Sequence, residues 1–456
     1  MKAIILAAGQ GKRMFSTLPK ILHSILGKTI IQYVVETAIS ANIKPEDITV
    51  VVSPNSDDVK NELSSKWDNL SFAVQEQALG TGHAVKSGMG SIKDTDDVLI
   101  LCGDMPLVTG EFITQLADFR DKNPAEAVVT AVYLSDMKDL GRVFADEEGF
   151  FKEIVEFKDL TPTHPPTNWA NTGIYLFKGS ALLSGLDKIN NNNNQNEYYL
   201  TDVPKILLGE GKTVRVLQSR IEPAMFTGIN TQVQLAEAVG HMRDRINKKH
   251  MLNGVRMIDP STVYIDDTVE IAQGAVIYPN VILEGNCKIG AGAIIGANSH
   301  IKDSKIEENA HIRHSILDNA VVGANTNVGP FAYLRPGAVI GAGCRIGNFV
   351  EVKNSNIGNK TNMAHLAYIG DADVGSGVNY SCGAITANYD GEKKHRTVIG
   401  DGAFIGCNSN LVAPITIGEG AFIAAGSTIT KDIEEGALGI ARPQQVQKAN
   451  WKKPKK

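Results

Sequence analysis

An aliphatic residue returns at every sixth position through much of the C-terminal half of the chain. The members of three registers are Ile271, Ile277, Leu283, Ile289, Ile295 and Ile301, then Ile316, Val322, Val328, Leu334, Ile340, Ile346 and Val352, then Ile399, Ile405, Leu411, Ile417, Ile423 and Ile429. A period of six fits neither an amphipathic helix nor an alternating strand, but it is the repeat of a parallel β-helix built from hexapeptides. The pattern therefore predicts a triangular prism with these residues inside it.

The N-terminal half has a different pattern, in which apolar runs alternate with helical spacing. The runs 3–8, 48–52 and 98–101 end in turn residues, and helical patterns occupy 30–39 and 83–89. This alternation predicts an α/β domain, Rossmann-like, with a mainly parallel sheet whose ligands bind at the carboxyl ends of the strands.

The boundaries between these patterns divide the chain into four parts. Apolar residues at helical spacing from Thr231 to Leu252 predict a helix that joins the two halves. The predicted parts are an α/β domain over 1–229, a linker helix over 230–252, a left-handed parallel β-helix over 253–440 and a C-terminal tail over 441–456.

Composition narrows the class of protein. The chain has 456 residues, of which 43% are hydrophobic and 21% charged, with a net charge of -5, so neither a nucleic acid nor a membrane is expected as a partner. Five cysteines are scattered without a CxxC pair, which argues against zinc sites and structural disulfides and favours a reduced, cytoplasmic location.

Candidate phosphate-binding residues follow the first predicted strand. The sequence there is Leu6-Ala7-Ala8-Gly9-Gln10-Gly11-Lys12-Arg13-Met14, and Leu18-Pro19-Lys20 comes next. Glycines let backbone N–H groups approach phosphates, and Arg13 and Lys20 could neutralise charge that develops on them. On the glycines alone, an ordinary turn would explain the pattern equally well.

Two further segments of this half contain candidate ligand-binding residues. Asp104 follows the third predicted strand, where a carboxylate suits Mg²⁺ on a triphosphate, although a solvated turn is the alternative. The segment from Gln75 to His83 contains Gly80 and Thr81, and its amides and glycines suit the edge of a base. An incidental helix start is the alternative for that segment.

The string from Leu6 to Lys20 resembles the signature of the sugar-phosphate nucleotidylyltransferases, except that Lys12 stands where the family usually has Thr. The resemblance implies that Arg13 and Lys20 are catalytic and that Asp104 and Asn230 bind Mg²⁺. The residues that it implies for binding UTP and the UDP-sugar are Leu6, Ala7, Ala8, Gly9, Lys20, Gln75, Gly80, Thr81, Gly141, Glu156, Asn171, Thr201 and Asn230.

The hexapeptide register also positions polar residues on the outside of the prism. Arg335 and Lys353 each follow an inward residue and lie three repeats apart, so they should stack on one edge and leave room for an anion. Two surface cations that avoid each other are the alternative.

The same register makes His365 point outward near Arg335 and Lys353, and it puts Tyr368 on the outer face. The repeat breaks from Asn379 to Thr397, where a loop on the binding face is expected.

The segment Gly383 to Gly391, together with His365 to Tyr368, resembles the bifunctional N-acetylglucosamine-1-phosphate uridyltransferase and glucosamine-1-phosphate acetyltransferase family, and the resemblance extends over essentially the whole chain. It implies a homotrimer that uses UTP, acetyl-CoA, glucosamine-1-phosphate and Mg²⁺, with His365 as the general base of acetyl transfer. The implied glucosamine-1-phosphate contacts are Arg335, Lys353, Tyr368, Asn379 and Lys394. The implied acetyl-CoA contacts are Asn388, Tyr389, Cys407, Ala425 and Arg442. Cys407 replaces the family's usual Ser, and no catalytic thiol is implied.

Two other classes of protein share part of this pattern. A nucleotidylyltransferase of another sugar can have a purely regulatory β-helix, and a prism can serve only as a trimerisation scaffold. Neither gives a reason for stacked Arg335 and Lys353, an outward His365 and the loop beyond Asn388 to occur together.

Overall fold

The computed structural model describes residues 1–9, 11–137 and 140–452. It contains two compact units, Met1–Met242 and Arg243–Lys456. Residues 453–456 of the predicted lysine-rich tail lie outside the described residues. In the described part of the chain, no helix is both long enough and apolar enough to cross a membrane.

The first unit is an α/β domain. Its strands are β1 (Lys2–Leu6), β2 (Ser24–Ile25), β3 (Lys28–Thr29), β4 (Ile48–Val52), β5 (Ser71–Val74), β6 (Asp97–Cys102), β7 (Ala127–Tyr133), β8 (Arg142–Ala145), β9 (Phe151–Val155), β10 (Trp169–Lys178) and β11 (Val214–Ser219). The helices of the chain are α1 (Ile30–Ser40), α2 (Asp57–Ser64), α3 (Thr81–Ser87), α4 (Gly110–Lys122), α5 (Gly179–Leu186), α6 (Val203–Gly209) and α7 (Gln232–Leu252).

The main sheet has the order β11-β7-β10-β6-β1-β4-β5. β1 pairs in parallel with β4 and β6, whereas β10 is antiparallel to both of its neighbours. All five residues of β4 are buried, as expected for a strand with helices on both faces. The carboxyl ends of β1, β4 and β6 therefore lie side by side, which brings the segments after Leu6, Val52 and Cys102 to one edge of the sheet. The predicted mainly parallel sheet is confirmed.

The second unit is a parallel β-helix with three faces. The strands of the first face are Arg256–Met257, Val276–Ile277, Ile294–Ile295, His311–Ile312, Asn327–Val328, the start of Arg345–Lys353, the start of Asn362–Gly370, Asn379–Tyr380, Phe404–Ile405, Phe422–Ile423 and Leu438–Gly439. Those of the second face are Tyr264–Ile265, Ile282–Glu284, His300–Lys302, Ile316–Asp318, Tyr333–Leu334, the ends of the two long strands, Ile385–Ala387, Asn410–Val412 and Thr428–Ile429. Those of the third face are Glu270–Ile271, Lys288–Ile289, Lys305–Ile306, Val321–Val322, Ala338–Ile340, Ser355–Ile357, Ala372–Val374, Thr397–Ile399 and Ile415–Ile417.

The predicted inward register is confirmed at nearly every position. Ile277, Ile346 and Ile405, for example, are all fully buried. Ile316 is the exception, because it is 50% exposed and Leu317 takes the inward position. The cause is a shorter repeat: Leu317 stacks on Ile301, and the next inward residue, Val322, follows Leu317 by five positions instead of six.

The predicted break in the repeat is shorter than the sequence suggested. Asn379–Tyr380 and Ile385–Ala387 are still regular strands of the prism, paired with the coils on both sides. The additional residues lie between Ala387 and Thr397, and Tyr389 bridges Lys394 within them. The insertion is therefore a single loop that leaves the prism at the junction of its second and third faces.

Candidate active sites

A cavity of about 300 Å³ opens at the carboxyl ends of β1 and β6 in the first unit. Nine residues that the sequence assigned to nucleotide or metal binding line it: Leu6, Ala7, Ala8, Gly9, Lys20, Gln75, Gly80, Thr81 and Asp104. Cys102 and Glu197 also line it and were missed, because neither belongs to a recognisable motif. The strand order thus brings three segments that are far apart in sequence, 6–9, 75–81 and 102–104, to the same cavity.

Gly80 explains how the second of these segments reaches the cavity. Its φ angle is +112°, and a Cβ atom there would lie 2.6 Å from the carbonyl oxygen of Tyr198. A larger residue is therefore excluded by both conformation and space. The close approach lets α3 start at Thr81, while the Gln75 amide donates to the Gly80 carbonyl over 3.1 Å.

Lys20 joins the two predicted metal ligands. Its Nζ atom donates to Asp104 Oδ2 over 2.6 Å and to Asn230 Oδ1 over 3.0 Å, and the side chain is 8% exposed. A cationic group thus already bridges a carboxylate and an amide oxygen, the ligand types that Mg²⁺ prefers. No group of three or more His, Cys, Asp or Glu side chains in the described residues could hold a metal by itself. The pair fits an ion whose remaining ligands are phosphate oxygens and water.

The phosphate loop itself is only partly in the cavity. Gly11 has a φ angle of +58°, and a Cβ atom there would lie 2.6 Å from Cβ of Lys20, so glycine lets the loop pack on that lysine. Arg13 and Lys12 belong to a short 3-10 turn, Lys12–Met14, and both are exposed. Neither is among the residues lining the cavity. The structure therefore does not bring Arg13 into the group formed by Lys20, Asp104 and Asn230.

A second group of predicted residues surrounds Glu156. Thr201 Oγ1 donates to Glu156 Oε1 over 3.1 Å, and the Asn171 N–H donates to the Gly141 carbonyl over 2.9 Å. A Cβ atom on Gly141 would lie 3.2 Å from Glu156 Oε2. Burial raises the pKa of Glu156, and the Thr201 hydrogen bond offsets only part of that rise. The group offers carboxylate, hydroxyl and amide partners of the kind that bind sugar hydroxyls.

In the second unit, Arg335 lies directly over Lys353, because Leu334 pairs with Val352 in the next coil. Counter-charges that the sequence did not indicate accompany both cations. Arg335 Nη1 donates to Glu351 Oε1 over 2.7 Å, and Lys353 Nζ lies 3.9 Å from Asp371 Oδ2. The predicted stacking is confirmed, and an acidic side chain accompanies each of the two cations.

Lys394 and Asn388 from the inserted loop join this group. The side chain of Lys394 and partial burial lower the pKa of Lys353, while Asp371 opposes the change. Burial acts to raise the pKa of Asp371, but Asp371 accepts hydrogen bonds from the amides of Asn354 and Asn388, which lower it. Together with the positive charges of Lys353 and Lys394, they hold the pKa of Asp371 below its usual value. We call the group of Arg335, Lys353, Lys394 and Asp371 the cation edge.

Tyr368 lies beside the cation edge. A Cβ atom on Gly370 would lie 2.4 Å from the Tyr368 hydroxyl and 2.8 Å from the Asn388 amide nitrogen, so the two groups are close to each other. Asn379 does not join them: it pairs with Asn362 on the first face and donates to Ser381 Oγ over 3.1 Å. Among the described residues, no hydrogen bond or ion pair connects it to the cation edge.

His365 lies at the other end of the second face. The strand Asn362–Gly370 bends at Leu366, whose φ angle is +41°, so His365 stands before the bend and Tyr368 after it. His365 is exposed, and its Nδ1 lies 2.6 Å from Asn348 Oδ1 in the preceding coil. Because an amide oxygen can only accept, Nδ1 donates in this arrangement and Nε2 is left as the acceptor.

The predicted acetyl-CoA contacts divide between the two edges. Cys407, Ala425 and Arg442 lie along the edge of His365: the Gly426 N–H donates to the Cys407 carbonyl over 2.8 Å, and Arg442 Nη1 donates to the Ala425 carbonyl over 2.7 Å. Asn388 and Tyr389 belong to the inserted loop beside the cation edge. Within one chain, the second face of the prism therefore separates the predicted base from the predicted phosphate site.

Comparison with known proteins agrees with this two-part organisation. A family model described as nucleotidyl transferase matches residues 2–222, and one described as bacterial transferase hexapeptide (six repeats) matches 319–354 and 396–431. Residues 260–321 match a GMPPB C-terminal domain. Curated relatives named bifunctional protein GlmU, from Clostridium novyi and Clostridium botulinum, are 44% identical over 98% of this chain and 97% of their own length. A relative of the same name from Clostridium acetobutylicum is 43% identical over the same shares.

Proposed function

The chain belongs to the family of bifunctional GlmU proteins and is a uridyltransferase and acetyltransferase, and we propose that its two units carry out the two reactions in sequence. The prism transfers the acetyl group of acetyl-CoA to glucosamine-1-phosphate. The α/β unit then transfers UMP from UTP to N-acetylglucosamine-1-phosphate, which yields UDP-N-acetylglucosamine and pyrophosphate for cell-envelope synthesis. A regulatory prism and a pure scaffold are therefore set aside.

The uridyltransferase assignment depends chiefly on Lys20, which hydrogen-bonds to both Asp104 and Asn230 at the strand ends. A phosphate oxygen of the sugar attacks the α-phosphorus of UTP and pyrophosphate leaves, so the protein needs to supply position and positive charge rather than a nucleophile. Mg²⁺, held by Asp104 and Asn230, would contribute charge neutralisation of the triphosphate. Lys20 then stabilises the charge that develops on the phosphates.

The sugar and base are oriented by the surrounding groups. Gln75, Gly80 and Thr81 contact the uracil ring. The group around Glu156 binds the sugar and ribose hydroxyls, because it combines a half-buried carboxylate with an amide and a hydroxyl. Arg13 remains a proposed contributor to charge stabilisation, although its exposed turn has to move toward the cavity when the substrate binds.

For acetyl transfer, the amine of glucosamine-1-phosphate must lose a proton as it attacks the thioester. His365 accepts that proton at Nε2, and Asn348 fixes the imidazole in the required tautomer. Arg335, Lys353, Tyr368, Asn379 and Lys394 hold the sugar phosphate. Cys407, Ala425 and Arg442 bind the CoA arm, and Asn388 and Tyr389 lie near the acetyl group.

The division of these residues between two edges supports a site completed by a second chain. The edge with His365 and the cation edge lie on opposite sides of one face, so one prism alone does not enclose a substrate between them. Hexapeptide repeats of this family support a homotrimer, in which edges of neighbouring prisms can meet. UTP and acetyl-CoA are intracellular metabolites, which supports a cytoplasmic location.

A direct test incubates the purified full chain with glucosamine-1-phosphate and acetyl-CoA, and separately with N-acetylglucosamine-1-phosphate, UTP and Mg²⁺. We expect CoA release in the first mixture and pyrophosphate release in the second. Pyrophosphate release without CoA release would contradict the proposed role of the prism, because it would leave the prism without an acetyltransferase site.

A further inference from the structure

Two cysteines lie on successive coils at the same edge of the prism. Tyr380 pairs with Ile405, and Cys382 and Cys407 each follow their strand by two residues. The Asn408 N–H donates to the Cys382 carbonyl over 2.9 Å, so the register persists through the corner. Neighbouring parallel strands are about 4.8 Å apart, which falls within the range of Cα separations, about 4.4 to 6.8 Å, that a disulfide spans.

The accessibility of the thiols distinguishes this pair from the other two cysteines of the prism, Cys287 and Cys344, which are buried. Cys407 is exposed and Cys382 is half-buried, and both are free thiols. Burial raises the pKa of Cys287 to about 11, and it also raises the pKa of Cys344. Because the thiolate is the reactive form, those two cysteines should react slowly. Cys102 belongs to the α/β unit, outside the prism.

The two cysteines also lie on the edge of the prism that carries His365 and other residues of the proposed acetyltransferase site. Asn362 pairs with Asn379 and Tyr368 pairs with Ile385, so the same offset places His365 over Cys382. Ile405 pairs with Ile423, which places Ala425 beyond Cys407. The two thiols therefore stand between the proposed general base and the carbonyl that Arg442 contacts.

We propose that Cys382 and Cys407 form a two-thiol site that reacts with low-molecular-weight disulfides, and that the disulfide formed between the two cysteines turns acetyl transfer off reversibly. The link to acetyl transfer rests on the proposed function of this edge, whereas the formation of the bond does not.

The chemistry is two successive thiol–disulfide exchanges. The thiolate of Cys407, the more exposed residue, attacks one sulfur of the small disulfide RSSR, forms a mixed disulfide and releases RS⁻. The thiolate of Cys382 then attacks the Cys407 sulfur and releases the second RS⁻, which closes the Cys382–Cys407 bond. Two protein thiols are oxidised, and one RSSR is reduced to two RSH after protonation. A thiol reductant reverses both steps.

Closure of this bond changes the surface that receives the acyl donor. It ties two coils together directly beneath His365 and fixes side chains that border the CoA arm. Displacement of a reacting group by about 1 Å can lower a rate by about a hundredfold. The α/β unit contains neither cysteine, so uridylyl transfer should not change.

The test uses the reduced full-length protein and oxidised glutathione as the probe. After incubation, free thiols are alkylated and the peptides are mapped by mass spectrometry. We expect a peptide that joins Cys382 to Cys407, a loss of acetyl transfer of about tenfold or more, unchanged uridylyl transfer, and recovery with dithiothreitol. The variant Cys382→Ser should keep its acetyl transfer before oxidation and form no cross-linked peptide.

Three results would overturn the proposal: both cysteines alkylated separately after the treatment, glutathione left on one cysteine without closure, or a cross-link that leaves acetyl transfer intact. Excess acetyl-CoA should slow the cross-linking, since it binds over this edge. If the cross-link forms in a protein that has no acetyltransferase activity even when reduced, the proposed function fails while the two-thiol site stands.

Discussion

Replacement of Asn348 by Ala should weaken acetyl transfer by a modest and defined amount. Asn348 Oδ1 accepts a hydrogen bond from His365 Nδ1 over 2.6 Å, and Asn348 lies in the preceding coil rather than beside His365 in sequence. Its loss removes one hydrogen bond, worth about 0.5 to 1.5 kcal/mol. Since about 1.4 kcal/mol corresponds to a tenfold change in rate, kcat should fall by about two- to tenfold. His365→Ala should lower it by about 10² to 10⁴.

The matched variant Asn348→Asp tests the same contact through pH. A carboxylate beside the imidazole stabilises its protonated form. The base must be neutral to accept a proton, and the acid limb of kcat/KM for acetyl transfer should therefore move to higher pH. Steady-state rates for both half-reactions across the pH range measure this, with uridylyl transfer as the internal control.

Two results would refute the reasoning about Asn348. Unaltered acetyl transfer in Asn348→Ala, together with an inactive His365→Ala, would mean that the hydrogen bond does not orient the base. An unchanged pH profile in Asn348→Asp would mean that His365 does not titrate as the base of the rate-limiting step.

Three further predictions follow from burial and charge. Leu317→Ala should lower the free energy of unfolding of the prism by about 2 to 5 kcal/mol, whereas Ile316→Ala should change it by less than about 0.5 kcal/mol. Denaturant unfolding of the two variants measures both changes. A larger loss of stability in Ile316→Ala than in Leu317→Ala would contradict the observed register. Lys20→Ala should lower kcat of uridylyl transfer by about 10² to 10³ and leave acetyl transfer unchanged, so a loss of both activities in a folded protein would argue against its assignment. Burial raises the pKa of Glu156, so its protonation stabilises the α/β unit at low pH, and this contribution disappears as the pH rises through the raised pKa. Glu156→Gln should remove that pH dependence from urea unfolding, and an unaltered pH profile would contradict the assigned burial.

The hexapeptide register could be predicted from the sequence because each inward position has the same requirement in every coil. A large aliphatic residue is needed wherever a side chain fills the prism, so counting in sixes identified Ile346 and Val352 correctly. The count failed at Ile316, since a five-residue repeat has no signature of its own. Positive φ angles at Asp303 and Asn319 mark the tightened turns, but asparagine and aspartate also occupy ordinary corners of this prism.

The candidate sites were predictable where one motif carries the chemistry. The glycine-rich loop and Asp104 each follow a strand, and parallel pairing of β1 with β6 brings these two segments together. Partners that come from another coil were not predictable: Asn348 and Asp371 have no motif, and only the stacking of coils brings them to His365 and Lys353. For the same reason, the sequence placed His365 beside the stacked cations, whereas a bend and a face of the prism lie between them.

The measurement that tests the central claim most directly is a crossed assay of two variants. His365→Ala and Asp104→Ala are purified as folded proteins, and both half-reactions are measured on each preparation. The account predicts that His365→Ala loses acetyl transfer and retains pyrophosphate release from UTP, and that Asp104→Ala does the reverse. Damage to both activities by either substitution would contradict two independent sites on two units.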